Sequence, residues 1–283
     1  MKKALLVAAL GSMAAFSMPS YSAMVSVAGV TWDTEWTDGS TPPIEQDFIG
    51  ETQFTQWFST TNDAVGTLGS WTTADTIGNV LASLTGAPAA ATGYYLAGAG
   101  EYMRINDPAM SIIQASPTGG GAGSFCPGCE LTYAFGGIGL NTDNTFDVTD
   151  GWVRVYVDNT PDFNTPVNSQ AVANSAIGDI LWLDLTITSF SLQTGTVDNG
   201  FVSAVFEIVG GAAADYFDPK SVAYSGSAFF GTRATLDPNS RYSGGGNGQA
   251  LANTTAVPEP GTLALLGLGL VGFAASRRRT AKK

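Results

Sequence analysis

Several segments in the middle of the chain alternate apolar and polar side chains with a period of two. The alternation is clearest in residues 131–135, 152–157, 181–188 and 202–208. It is typical of half-buried strands, and turn sequences rich in Asp, Asn, Gly and Pro follow these segments. Helical turns are favoured only near residues 76–84 and 211–217. The pattern predicts an all-β fold, arranged as an antiparallel β-sandwich or jelly-roll-like domain.

The N-terminal end has a different pattern. Lys2 and Lys3 precede an apolar run, and the small residues Ser20 and Ser22 follow it. A charged start, an apolar core and small residues at a cleavage zone predict a secretory signal helix in residues 1–23. Signal peptidase would cut after Ser22 or after Ala23. A membrane anchor is the alternative, although the apolar run is short for a membrane span.

The C-terminal end holds a second apolar segment. Gly261 to Ser276 carries no charged residue. As a helix this segment would be about 24 Å long, which predicts a single short transmembrane helix. A stop-transfer signal follows it, formed by Arg277, Arg278 and Arg279. Because positive charge stays in the cytoplasm, the rest of the chain is expected outside.

A short motif precedes that helix. It consists of Val257, Pro258, Glu259 and Pro260. Motif, apolar helix and basic tail, in this order over residues 257–283, resemble a PEP-CTERM sorting segment, which is also described as an ice-binding protein C-terminal domain. The resemblance implies recognition by an exosortase and cleavage near Pro-Glu-Pro. It also implies that the helix anchors the chain in the membrane only until this processing. An ordinary C-terminal anchor behind a Pro-rich linker is the alternative.

The region between the two ends is strongly acidic. Residues 24–243 are expected to form one β-rich extracellular domain, and the glycine-rich residues 244–256 a flexible linker. Met24 to Ala256 contains five basic and 23 acidic residues, which gives a formal charge of −18. Such a surface repels phosphate backbones, so nucleic acid is excluded as a partner.

The chain carries no catalytic signature. It contains no histidine, which excludes Ser-His-Asp and Cys-His catalysis and the commonest transition-metal ligand. Six glutamates are available for carboxylate chemistry, but their spacing singles out no acid and partner: Glu35, Glu45, Glu51, Glu101, Glu130 and Glu207. The sequence therefore predicts a protein that is not an enzyme.

The only cysteine pair is Cys126 and Cys129. The intervening Pro127-Gly128 suits a type II turn, which brings the flanking residues within bridging range. We expect a disulfide in an oxidising compartment. A redox CxxC site is the alternative.

Two weaker sets of candidate sites remain. Oxygen ligands for Ca²⁺ occur close together in two turn sequences, at Asp143, Asp147, Asp158 and Asp162. Asp also favours turns for local backbone reasons, and no other cofactor is indicated. Trp152 and Trp182 lie on mixed polar and apolar strand faces, where they are candidate glycan contacts.

Together these features predict an exported protein of the cell envelope, outer surface or extracellular matrix, transiently anchored in the inner membrane. A structural or polysaccharide-associated role is expected. The alternative is a secreted carbohydrate-active enzyme or a glycan-binding module with the same sorting signals.

Overall fold

The computed structural model of the chain describes residues 24–34, 36, 47–62, 74–106, 125–163, 167, 169–197, 199–230 and 244–255. The predicted signal peptide, C-terminal helix and sorting segment lie outside these ranges. Within the described ranges, no helix is long and apolar enough to cross a membrane. Residues Met24–Val257 form one unit of the chain.

Strands dominate this unit, and the predicted all-β class is confirmed. They are β1 (Met24–Val27), β2 (Val30–Asp33), β3 (Phe48–Ser59), β4 (Ala74–Asp75), β5 (Ala91–Ile105), β6 (Glu130–Asn141), β7 (Phe146–Asp147), β8 (Trp152–Asp158), β9 (Ile180–Thr196), β10 (Asn199–Gly210), β11 (Ala223–Phe230) and β12 (Gly244–Ala252). The helices are α1 (Ile77–Ala82), α2 (Gln170–Asn174) and a 3₁₀ helix (Ala214–Tyr216). The four alternating segments all lie in strands, namely β6, β8, β9 and β10.

The main sheet closes on itself. In the described part of the chain, its antiparallel neighbours follow the order β3, β5, β6, β8, β9, β10, β11 and β12, and β12 then pairs with β3. Within the predicted antiparallel class, the strands thus form one closed barrel instead of two packed sheets. Closure satisfies the edges of the first and last strands, which would otherwise expose unpaired backbone groups.

The closing strand corrects one expectation. Residues 244–256 are predicted from their glycine content to be a flexible linker, but residues 244–252 form β12. The register with β3 runs from Gly244 opposite Gln56 to Ala252 opposite Phe48. A Cβ atom on Gly246 would collide with the Phe54 ring and with a backbone oxygen of β11. Close packing therefore requires glycine at position 246. The glycine content of β12 does not indicate mobility.

The barrel interior combines large rings with glycines. Rings from neighbouring strands lie where inward-facing glycines leave space: Tyr102 at Gly50, Phe135 at Gly98, Tyr133 at Gly100, Phe54 at Gly246 and Tyr224 at Gly248. Among these rings, a cavity in the described part of the barrel measures about 80 Å³. Typical small-molecule sites measure about 300–1,000 Å³, so the interior is a packed core.

The substitution Gly100→Ala tests this packing. The added Cβ would collide with the backbone oxygen of Gln53 and lie 2.6 Å from the Tyr133 ring. We expect the free energy of unfolding, measured by urea denaturation, to fall by about 1–3 kcal/mol. The control is Gly78→Ala on α1, where a Cβ meets nothing within 4 Å. That change should leave stability unaltered or raise it by up to about 1 kcal/mol, and an equal loss in both variants would contradict the packing account.

Two apolar clusters lie toward opposite ends of the barrel. One cluster surrounds Trp32 of the β1–β2 hairpin and includes Phe48 at the start of β3. The other includes Phe58 near the end of β3 and Val80 of α1. Because Phe48 and Phe58 stand at the two ends of one strand, buried apolar side chains lie near both ends of the interior.

A third cluster covers part of the outer barrel surface. Phe163, Ala173 of α2 and Ala176 pack there against Trp152 and Tyr156 of β8. The Thr132 hydroxyl donates to the Ala176 carbonyl at 2.8 Å. This segment therefore covers Trp152 and Tyr156 on the outer face of β8, while Arg154 on the same face stays partly exposed.

Candidate functional site

An open groove of about 580 Å³ crosses the outer face of the barrel. Strands β3, β5, β11 and β12 form it, and β10 contributes one edge. The larger functional side chains that line the groove are Glu51, Gln53, Arg104, Phe201, Asn247 and Gln249. Apart from Phe201 they are polar, in contrast to the packed interior.

Cross-strand pairing places the groove side chains in rows. The first row runs through Phe201, Ser227, Asn247, Gln53 and Glu101, each opposite the next in the register. The Ser227 hydroxyl donates to Asn247 Oδ1 at 3.0 Å. Gln53 Nε2 donates to Glu101 Oε1 at 2.7 Å. Since paired residues lie side by side on a sheet, Ser227, Asn247 and Gln53 form a polar strip in the groove that ends at the Phe201 ring. Glu101 is 2% exposed and lies outside the groove.

The second row lies beside the first. It runs through Ser225, Gln249, Glu51 and Arg104. Arg104 Nη1 donates to Glu51 Oε2 at 3.0 Å, and both side chains remain partly exposed. Such a pair adds at most about 1 kcal/mol of stability. Its main effect is to hold two charged hydrogen-bonding groups in a fixed position at the groove.

The groove offers neutral amides and hydroxyls on a rigid sheet. Asn247 and Gln249 are exposed, and each amide carries two N–H donors and a carbonyl acceptor. Phe201 is 43% exposed, which leaves ring surface available for contact. This set can hydrogen-bond a hydroxyl-rich ligand and pack an apolar face of that ligand against the ring. The sequence does not reveal these residues, because Asn247 and Gln249 lie among glycines whose composition favours a linker.

Neither tryptophan that the sequence predicts as a glycan contact reaches this groove. Trp152 is 2% exposed and Trp182 is fully buried. Trp152 lies beneath the outer α2 cluster, and Trp182 packs in the interior cluster around Trp32. Both predictions are wrong, because each ring is covered by protein.

A group of carboxylates lies near the start of β6. Glu130, Asp158 and Asp162 each bring one carboxylate oxygen within 4.8 Å of the others. Burial raises the pKa of Glu130 to about 7, although backbone N–H donors from Phe163 and Asp162 oppose this shift. Burial also raises the pKa of Asp158. The sequence alone does not single out Glu130, because Asp158 and Asp162 lie 28 and 32 positions away from it.

The other two predicted calcium ligands are placed differently. Asp143 accepts from the Thr145 hydroxyl, and Asp147 accepts from the Thr149 hydroxyl, both at 2.6 Å. These hydroxyl donors lower the pKa of both carboxyls. Each aspartate therefore serves a local turn, as Asp commonly does. Neither belongs to the described group that contains Asp158 and Asp162.

Comparison with known proteins decides what the C-terminal segment is. Residues 256–279 match the family model of the PEP-CTERM protein-sorting motif. The chain carries a PEP-CTERM motif. No curated protein and no solved structure matches the chain.

The PEP-CTERM match confirms the resemblance seen in the sequence. It includes Val257–Pro260, the apolar segment and Arg277–Arg279. The motif marks the chain as an exported, envelope-directed substrate of an exosortase. The match ends four residues before Lys283 and begins just after the last described residue, Thr255.

A disulfide agrees with the export of a chain that carries this motif. Cys126 and Cys129 are joined, with their Cα atoms 5.2 Å apart. Cys129 N–H donates to the Cys126 carbonyl at 3.2 Å, and Gly128 has a φ of 80°. A positive φ at this position is what a type II turn requires. Disulfides persist in oxidising compartments outside the cytosol.

Proposed function

We propose that this exported PEP-CTERM protein is a non-catalytic surface component that associates with extracellular polysaccharide through the outer groove. The observation that carries the proposal is the pair of adjacent polar rows on β3, β5, β11 and β12, bordered by the exposed ring of Phe201.

The chemistry of the groove suits a neutral, hydroxyl-rich polymer. Its exposed amides Asn247 and Gln249 donate and accept hydrogen bonds without carrying charge. An open groove on a closed barrel gives a polymer access along its length, whereas the interior cavity of about 80 Å³ is too small for a sugar chain. Export brings this surface to the compartment where such polymers occur.

The acidic charge of the chain narrows the ligand class further. A formal charge of −18 between Met24 and Ala256 disfavours polyanions. The groove residue Glu51 is paired with Arg104, so that part of the groove is close to neutral. A neutral polysaccharide therefore fits better than a highly anionic one.

Binding to the polysaccharide of the producing organism tests the proposal. The full chain, purified in detergent, should bind immobilised polysaccharide, and Asn247→Ala should weaken binding by about 2- to 12-fold, the equivalent of one hydrogen bond of about 0.5–1.5 kcal/mol. Phe201→Ala should also weaken binding because ring contact is lost. Unchanged affinity in both variants would contradict the groove assignment.

Matched controls come from exposed positions that do not line the groove. Asn174→Ala on α2 removes an exposed amide, and Val209→Ala truncates an apolar side chain that is 63% exposed. Both should bind as the unaltered chain does. The same assay should detect no soluble sugar fragments. Fragment release that stops in Glu51→Gln would favour the secreted carbohydrate-active enzyme.

A further inference from the structure

The buried carboxylate of Glu130 accepts hydrogen bonds at only one of its two oxygens in the described structure. The residue is 2% exposed. Its Oε1 accepts from the backbone N–H groups of Asp162 and Phe163 at 3.1 and 3.0 Å. Its Oε2 is buried and has no hydrogen-bond partner among the described residues. Buried polar atoms are normally paired, so this oxygen points to a missing partner.

The carboxylates of Asp158 and Asp162 lie close to that of Glu130. Asp158 lies opposite Glu130 in the β6–β8 register. Asp162 follows four residues later, and its backbone is tied to Glu130 by the hydrogen bond to Oε1. One carboxylate oxygen from each residue lies within 4.8 Å of the others. Oxygens that bind Ca²⁺ at about 2.3–2.6 Å can be at most about 4.6–5.2 Å apart, so the three fit around one ion.

The cluster lacks a cation from the described protein. The two ion pairs found in the described ranges join Arg104 to Glu51 and Arg154 to Asp184. Neither involves Glu130, Asp158 or Asp162. Burying carboxylate charge without a counter-charge is costly. A bound cation would remove this cost and would supply the partner that Glu130 Oε2 lacks.

We propose that Glu130, Asp158 and Asp162 bind a single Ca²⁺ ion. All three ligands are oxygens, which Ca²⁺ prefers, and water can complete the shell of about 6–8 ligands. Asp162 is exposed, so the ion and its water have a route in. Magnesium is a poorer match, because it demands near-ideal octahedral geometry and loses water reluctantly.

The ion would fasten a loop to the barrel. Asp158 ends β8 and Asp162 immediately precedes Phe163, which is fully buried in the outer cluster. Binding would therefore hold the start of the segment that covers Trp152 and Tyr156 on the outer face of β8. This predicts that calcium stabilises the folded state by preferential binding.

Calorimetric titration of the full chain with calcium chloride tests the site. The chain is purified in detergent and freed of divalent ions with a chelator. We expect saturable binding with a Kd of about 10⁻⁴ to 10⁻³ M, the range of extracellular calcium modules, and a Tm that rises with calcium concentration. Asp162→Asn and Glu130→Gln should each lose saturable binding over this range. Asp147→Asn, an exposed aspartate outside the group, should bind as the unaltered chain does.

Three results would overturn the proposal. They are the absence of saturable binding in the unaltered chain, unchanged binding in Asp162→Asn, and equal affinity for magnesium. Asp162 is exposed, so its variant remains informative even where Glu130→Gln fails to fold.

Discussion

Replacing Trp32 with alanine is expected to lower the free energy of unfolding by about 3–5 kcal/mol. Trp32 is 1% exposed. Its ring stacks on Phe217 at 5.5 Å and meets Trp182 edge-on at 5.4 Å and Phe48 at 6.5 Å. Its indole Nε1 has no hydrogen-bond partner in the part of the chain that the structure describes, so the loss would come from packing and from the cavity left behind.

Chemical denaturation of the full chain measures this loss. The matched control is Phe201→Ala, which truncates an aromatic side chain that is 43% exposed. Because surface changes usually alter stability by about 0.5 kcal/mol or less, the control should lose far less than Trp32→Ala. Comparable losses would mean that Trp32 of the β1–β2 hairpin does not contribute to the packed core as described.

Replacing Pro258, Glu259 and Pro260 with alanine should abolish processing of the exported protein. The predicted N-terminal signal is untouched, so export itself should continue. The apolar segment and Arg277–Arg279 are also retained, and they should keep the unprocessed chain in the membrane fraction. Cell fractionation with size analysis checks this outcome.

The control for this variant is Thr280→Ala, one residue beyond the matched segment. It should be processed normally. Normal processing of the triple-alanine variant as well would show that the motif does not direct sorting.

The alternation of apolar and polar residues predicts strands well where successive side chains point in and out of the core. It gives the wrong side-chain direction at a β-bulge. Val155 pairs with Leu183, but Tyr156 pairs with Leu181. Trp182 is therefore the extra residue of a β-bulge, which changes the direction of neighbouring side chains. Leu181 packs on the outer cluster while Trp182 enters the core. Without pairing information, the sequence could not show this reversal.

Closure of the barrel depends on contacts that are distant in sequence. Strand β12 contains glycines whose inward faces accommodate Phe54 and Tyr224, but composition alone favours a linker. The groove depends on the same pairing, because Asn247 and Gln53 meet only when β12 joins β3. By contrast, the turn at Cys126–Cys129 is set by four consecutive residues, and the sequence predicts it correctly.

The mass of the mature protein from its native host tests the central claim most directly. An exosortase substrate with this motif should have lost the segment from Gly261 to Lys283, leaving a C-terminus near Pro258–Pro260. Its N-terminus should follow Ser22 or Ala23. A mature surface protein that retains an intact Lys283 terminus would contradict the account.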